Sequence, residues 1–155
     1  PRHELTGGVQ VPLAIREMAP DDIPAACALL AQLTGQPMTP DEMSGRLEWV
    51  ARSPIDWLYV AEADGAVCGV LGFRVRECLE RVGRYGEVSV IVTDARARRQ
   101  GIGRALMAFA EDLAREHGCM GMWLVSGFGR KDEAHRFYEQ LGYTATGYRF
   151  VKLFD

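Results

Sequence analysis

A run of β-branched residues that passes through an arginine-rich turn into a glycine-led helix constrains this chain more than any other stretch. Val88, Val90 and Val92 alternate with Glu87, Ser89, Ile91 and Thr93, a composition and period that predict a strand over 87–93. Ile102, Leu106, Phe109, Ala110 and Leu113 then recur at helical spacing. Gly118, after His117, offers that helix a left-handed stop. The first N–H groups of a helix have no carbonyl partner within it and carry partial positive charge, so they suit an anion, a phosphate above all. Gly101 and Gly103 remove side chains that would hold a ligand off the backbone. Arg98, Arg99 and Arg104 add full charges around the same point. A strand leading straight into such a cradle fits a long ligand, its phosphates on the helix and its tail along the strand.

Three phosphate motifs compete for this junction. The P-loop needs Lys-Ser/Thr after its last glycine, but Arg104-Ala105 follows Gly103. The dinucleotide fingerprint needs a third glycine where Leu106 stands, and an acidic residue further on where 120–125 is apolar. What matches is R-x-x-G-x-G, as Arg98-Arg99-Gln100-Gly101-Ile102-Gly103.

Composition narrows the rest. A chain of 155 residues fits one domain with a real core. Its net charge of −3 argues against a broad nucleic-acid footprint, so no nucleic-acid partner is expected. No apolar run approaches the ~20 residues of a membrane span, so no membrane partner is expected either. The first residues lack the apolar core of a secretion signal, and the absence of an initiator Met reads as processing or trimming. Cys27, Cys68, Cys78 and Cys119 show neither C-x-x-C nor zinc spacing. A reducing, cytoplasmic setting and no metal are expected.

In chain order, residues 1–12 are expected to be a flexible tail and 13–155 the domain. Residues 13–18 predict a short strand. Ala19-Pro20-Asp21-Asp22 opens a helix with Ile23, Cys27 and Leu30 on one face, ended by Gly35. Thr39-Pro40-Asp41-Glu42 is a capping box for a second helix carrying Met43, Leu47 and Val50. Residues 57–62 and 66–76 predict strands joined through Asp64-Gly65, a hairpin signal. Residues 77–86 read as the next hairpin loop. The apolar run 120–125 predicts a strand buried on both faces, and 126–131 a loop. Ala134, Phe137, Tyr138 and Leu141 predict a helix over 132–141 that Gly142 stops. Residues 143–146 and 148–154 alternate weakly and read as closing strands. The order is βααβββαβαββ, an α/β chain with an α+β mixed sheet and helices on its faces.

This order and three local matches resemble the GNAT superfamily of N-acetyltransferases over about residues 13–154. The matches are the R-x-x-G-x-G run, Ile15-Arg16-Glu17-Met18-Ala19-Pro20-Asp21-Asp22, and Ala134-His135-Arg136-Phe137-Tyr138-Glu139-Gln140-Leu141-Gly142-Tyr143. One departure is Lys131, where the family often has Asn; it puts a usual bond to the CoA arm in doubt. The resemblance implies acetyl-CoA as donor and a central strand that splays, often at a bulge. It implies that the backbone of Ile91, Val92 and Thr93 pairs with the pantetheine arm. The pyrophosphate would lie on Arg98, Arg99, Gln100, Gly101, Ile102, Gly103 and Arg104.

The implied reaction moves an acetyl group to a primary amine by direct attack in a ternary complex. An ammonium of pKa about 10.4 gives up its proton at pH 7 for about 4.6 kcal/mol unless a base or desolvation helps. The leaving thiolate benefits from an acid. By the resemblance, Tyr138 is the acid candidate, ahead of the alternative that it is a core tyrosine on the helix's apolar stripe with Ala134 and Leu141. Glu87 aligns with the base of the histone-acetylating branch, or is a solvated residue at a strand start. Ser89 shares its face and could relay a proton through water. His135 and His117 are weaker candidates. Trp49, Trp57, Glu42 and Glu48 read as packing and solvated surface ahead of an amine site. The acceptor is expected to be a small molecule; a peptide or protein acceptor, and a non-catalytic acetyl-CoA sensor, are the alternatives. Family members often dimerise, and aromatic residues such as Tyr148 and Phe154 on the closing segment make a homodimer plausible.

Overall fold

The computed structural model describes residues 3–4, 12–127 and 131–155. Its strands are β1 (His3–Glu4), β2 (Leu13–Glu17), β3 (Asp56–Ala63), β4 (Ala66–Glu77), β5 (Arg84–Thr93) and β6 (Gly121–Leu124), lying side by side in chain order. From β1 to β5 every pair is antiparallel. The last pair differs. Met120, just before β6, donates its N–H to the carbonyl of Arg84, the first residue of β5, at 2.9 Å. A side chain at Gly121 would meet Tyr85, and one at Gly86 would meet Met122. The two strands therefore start level and advance together, in parallel. A parallel pair needs a crossover, here α3 (Ile102–Glu116).

Local signals place the helices. A 3-10 turn over Pro20–Asp22 leads into α1 (Ile23–Thr34), which ends on Gly35 in the left-handed conformation, φ 71°. The corner before α1 is held by Asp22, whose carboxylate accepts from the Ala19 N–H at 2.8 Å and from two Arg16 nitrogens at 2.7 and 2.9 Å. The Arg16 guanidinium holds that carboxyl below its usual range. At the start of α2 (Pro40–Arg52) the capping box is closed both ways, Glu42 N–H to Thr39 at 3.2 Å and Thr39 N–H to Glu42 at 2.8 Å. Asp64 and Gly65, with φ 51° and 76°, make the two-residue turn between β3 and β4.

α1 and α2 cover one face of the sheet, where Ala26, Leu29 and Met43 pack with Val60, Val70 and Val92. α3 covers the other. There Phe109 meets Tyr59 edge-on at 4.8 Å, and His117 at the helix end stacks near Trp57 and Phe73 at 4.7 and 6.1 Å. By internal contacts the chain divides into two units, Pro1–Trp123 and Leu124–Asp155. The second, taken by itself, carries α4 (Lys131–Gln140), after which Gly142 has φ 90°.

The expected α/β class and the order of elements from 13 to 140 hold, with differences. Residues 143–155 contain no strand, so the two closing strands are not formed. Weak alternation gave that segment no buried face to set a register. β5 begins at Arg84 rather than 87, shortening the preceding loop. β6 is not buried on both faces: Trp123 is 37% exposed, as fits the last strand in the order. The tail expected over 1–12 lies mostly outside the described residues, but His3–Glu4 within it pairs with Ala14 and Ile15. Residues 128–130 of the expected 126–131 loop also lie outside the described residues.

β5 is not a regular strand. Val90 lies opposite Gly72 while Val88 lies opposite Phe73, so Ser89 is an extra residue, a bulge. Gly72 makes room for it: a side chain there would run into Ser89 Oγ and lie 2.7 Å from Val90 Cγ1. Gly72→Ala is expected to destabilise the protein by about 1–3 kcal/mol through overpacking, read as a lower urea midpoint at unchanged slope.

Candidate active site

The glycine-led turn is fastened before the helix begins. The buried Asp94 donates its N–H to Cys68 O at 2.8 Å, closing the end of β5. Its carboxylate accepts from the Arg96 N–H at 3.0 Å and the Arg96 guanidinium at 2.9 Å. Gln32 of α1 accepts from the Ala95 N–H at 2.9 Å. Beyond this anchor, Arg99 and Gly101 both have positive φ, 65° and 78°. Glycine takes that conformation freely, whereas arginine gives up roughly 1–2 kcal/mol to hold it. Ala105 makes the first full-turn bond, to Gly101 O at 3.0 Å. The N–H groups of Ile102, Gly103 and Arg104 precede it and have no carbonyl within the helix. Left-handed residues in such a turn aim backbone N–H groups into an anion-binding concavity.

The arginines divide by function. Arg96 is tied to Asp94. Arg98, Arg99 and Arg104 are exposed, and none has an ion pair or side-chain hydrogen bond among the described residues. Gln100 is exposed beside them.

Upstream, β5 has ten residues and β6 four. Because the two start level, β6 reaches no further than about Val88. From the bulge at Ser89 through Thr93, β5 pairs with β4 alone among the described strands. Ile91, Val92 and Thr93 therefore keep one backbone edge outside the sheet's strand pairing, next to the turn.

Glu87 lies on the face that α1 and α2 cover further along, opposite Arg74 in register. Its Oε2 is buried and accepts no hydrogen bond among the described residues. The Nε of Arg76 lies 3.9 Å away, and the Arg76 guanidinium sits 5.6 Å from the Trp123 ring centroid. Ser89 is exposed one bulge further on. Tyr138 stands in α4 of the second unit, half-buried, with Phe137 at 5.1 Å and Tyr143 at 6.1 Å between ring centroids. Its carbonyl accepts from Leu141 and Tyr143 at 3.1 and 3.0 Å.

Other candidates have structural work. Glu42 closes the α2 capping box. Trp57 packs on Phe73 and His117. Trp49 has the guanidiniums of Arg46 and Arg74 each 5.7 Å from its ring, a poor place for another cation. Burial pushes the Cys119 thiol up, the wrong direction for a nucleophile. A cleft of about 350 Å³ between α2 and β3 includes Asp56, whose carboxylate is already engaged by Arg74 at 2.6 Å and Ser53 at 2.7 Å. Among the described residues no cluster of three or more His, Cys, Asp or Glu side chains could hold a metal ion, and no helix is long and apolar enough to cross a membrane.

Sequence reasoning missed Arg76 and the Asp94–Gln32 anchor, and it expected a bulge in the central strand without placing it at Ser89. Gly72 inside a strand pattern is a bulge signal, and an aspartate directly after a strand is a capping signal. Arg76 carried no signal, since its partners lie on other strands.

Residues 25–143 match the model of the acetyltransferase (GNAT) family. An uncharacterised N-acetyltransferase of Bacillus subtilis, YhdJ, is 38% identical over 96 residues, which are 61% of this chain and 64% of that protein. An aminoalkylphosphonate N-acetyltransferase of Salmonella typhimurium is 34% identical over 93 residues, 60% of each. The chain thus spans 64% and 60% of the length of these relatives. Among solved structures, a transcriptional regulator from Bacillus halodurans superposes at TM-score 0.84 and 25% identity, over 92% of this chain and 99% of that one. Glucosamine-6-phosphate N-acetyltransferase from Arabidopsis thaliana superposes at TM-score 0.77 and 25% identity, with the same coverage.

The anchor at Asp94 has a pH signature. Hydrogen bonds from Arg96 hold its carboxyl at about 2, against about 3.9 in an unfolded chain. A depressed folded value means a contribution fully present above the unfolded value and lost as pH falls through the folded one. The stability advantage of the wild type over Asp94→Asn is expected to shrink between about pH 4 and about pH 2, read as converging urea midpoints.

Proposed function

Because the chain belongs to the GNAT acetyltransferase family, we propose that it moves an acetyl group from acetyl-CoA to a primary amine on a small molecule, by direct attack in a ternary complex. The observation that carries this reading is the continuity of one surface. A strand edge that, among the described residues, has no strand partner from Ser89 to Thr93 runs into a turn with left-handed residues at 99 and 101, near arginines that have no ion pair among the described residues. That surface fits a phosphate-ended ligand with an amide-bearing arm. The N–H groups at the start of α3, with Arg98, Arg99 and Arg104, hold the pyrophosphate; the backbone of Ile91, Val92 and Thr93 pairs with the arm. Gln100, Gly101, Ile102 and Gly103 form the floor of the turn. Acetyl-CoA, when bound, supplies the activated acetyl thioester.

The chain's own residues manage protons. Glu87 takes the ammonium proton, directly or through a water held by Ser89. Its buried oxygen, which accepts no hydrogen bond among the described residues, supports that role. Tyr138 gives a proton to the departing sulfur. The activities for which the aminoalkylphosphonate and glucosamine-6-phosphate relatives are named favour a small acceptor over a peptide or protein. The four free cysteines suit a cytoplasmic setting.

Thiol release from acetyl-CoA across a panel of small amines and peptides tests the activity. Turnover of small amines is expected; turnover of peptides alone would select the protein-modifying alternative, and binding without any turnover the sensor. Tyr138→Phe should lower kcat by about 100-fold with calorimetric CoA affinity retained; an unchanged kcat removes Tyr138 as the acid.

The segment 143–155 exposes Tyr148, Phe150 and Phe154 at 80%, 93% and 87%. We assign it to a homodimer contact, in which a second copy covers these side chains. Light scattering is expected to give twice the 17.2 kDa chain mass; the single-chain mass would rule the contact out.

A further inference from the structure

We propose that Arg76 reads an oxyanion on the acceptor, so that this site takes a small amine bearing a phosphonate, phosphate or carboxylate close to its nitrogen. The inference rests on Glu87 receiving the amine, as argued above. Its basis is a pair of opposite charges that leave each other incompletely satisfied.

Three adjacent strands bring the parts to one face. Arg76 leaves β4, Glu87 stands on β5 and Trp123 on β6. The 3.9 Å from Arg76 Nε to Glu87 Oε2 is close enough for attraction but too long for a hydrogen bond. Glu87 Oε2 is buried and accepts no hydrogen bond among the described residues, a costly state that a bound ammonium would relieve. Arg76 is 49% exposed and makes no side-chain hydrogen bond among the described residues. Trp123 holds its guanidinium by a cation–π contact. A guanidinium steadied on a ring still has a fork of donors for a planar or tetrahedral oxyanion.

Neighbouring arginines are not available in the same way. Arg74 is bound to Asp56 at 2.6 Å, and Arg84 to Glu77 at 2.9 Å. Arg76 and Glu87 therefore present a plus–minus pair whose complement is a zwitterion laid the other way round. An amine with a nearby oxyanion answers both charges. A plain alkylammonium satisfies Glu87 but meets the like charge of Arg76, and a diamine meets it twice over. The short gap between the poles selects a short linker. Because all three residues stand on strands, the spacing is set by the sheet and not by a loop.

The test compares 2-aminoethylphosphonate, β-alanine, propylamine and 1,3-diaminopropane as acceptors for the full chain with acetyl-CoA. The wild type is expected to prefer the phosphonate over propylamine by at least about 100-fold in kcat/KM. Arg76→Gln should collapse that ratio mainly through KM, with CoA affinity and urea midpoint unchanged. Arg76→Lys should keep part of it, and Arg76→Glu should turn preference toward the diamine. β-Alanine ranks carboxylate against phosphonate. Equal use of anionic and neutral amines by the wild type, or a ratio indifferent to Arg76, overturns the proposal. Calorimetric titration of 2-aminoethylphosphonate into the CoA-saturated protein separates this from the catalytic reading. Arg76-dependent binding without turnover would support the anion site and reject the transferase chemistry; turnover without Arg76 dependence would do the reverse.

Discussion

The bulge at Ser89 is the constraint on which the site depends. It exists because β4 carries Gly72 opposite it, where any side chain would collide with Ser89 and Val90. One extra residue in β5 does two things at once. It reverses the alternation, so that Val88 faces α3 while Val90 and Val92 lie on the α1–α2 side. It also separates β5 into a part flanked on both sides and a part that, among the described strands, is flanked only by β4. The first part carries Glu87 among neighbours from three strands. The second leads directly to the left-handed turn at Arg99 and Gly101. In the proposed reading, proton chemistry and donor binding fall on successive portions of one strand.

Charge is sorted with the same economy. Arg16, Arg74, Arg84 and Arg96 each have a carboxylate within 3.1 Å and serve the fold. Arg98, Arg99 and Arg104 have none among the described residues and stand around the N-terminus of α3. Arg76 lies between these groups, near a carboxylate yet not bonded to it. Partnered arginines lock corners and strand ends. Unpartnered ones leave a positive field where the helix N-terminus already favours an anion.

Much of this was legible in the residues. The capping box at Thr39 and Glu42, the Asp64-Gly65 turn, and the stops at Gly35, Gly118 and Gly142 are local chemistry, and each stands where the sequence puts it. The R-x-x-G-x-G run marked the turn into α3 for the same reason. What escaped was non-local. The period of two along 87–93 shows valines in step, and only the partner strand reveals that the step is broken between Val88 and Val90. The Glu87–Arg76–Trp123 grouping spans three strands, and no spacing encodes it. The closing segment failed in the opposite sense: a weak alternation over 143–154 suggested two strands, and residues 143–155 form none.

The left-handed turn has a consequence for how a ligand arrives. Arg99 is held against its conformational preference by neighbours that are already bonded, with Asp94 gripping Arg96 and Gln32 gripping Ala95. The disorder that an open loop would surrender on association has been surrendered during folding. A polyanion bound at this corner, as proposed, would meet a turn already fixed, and its residence would be governed by contacts made and broken rather than by a loop closing over it.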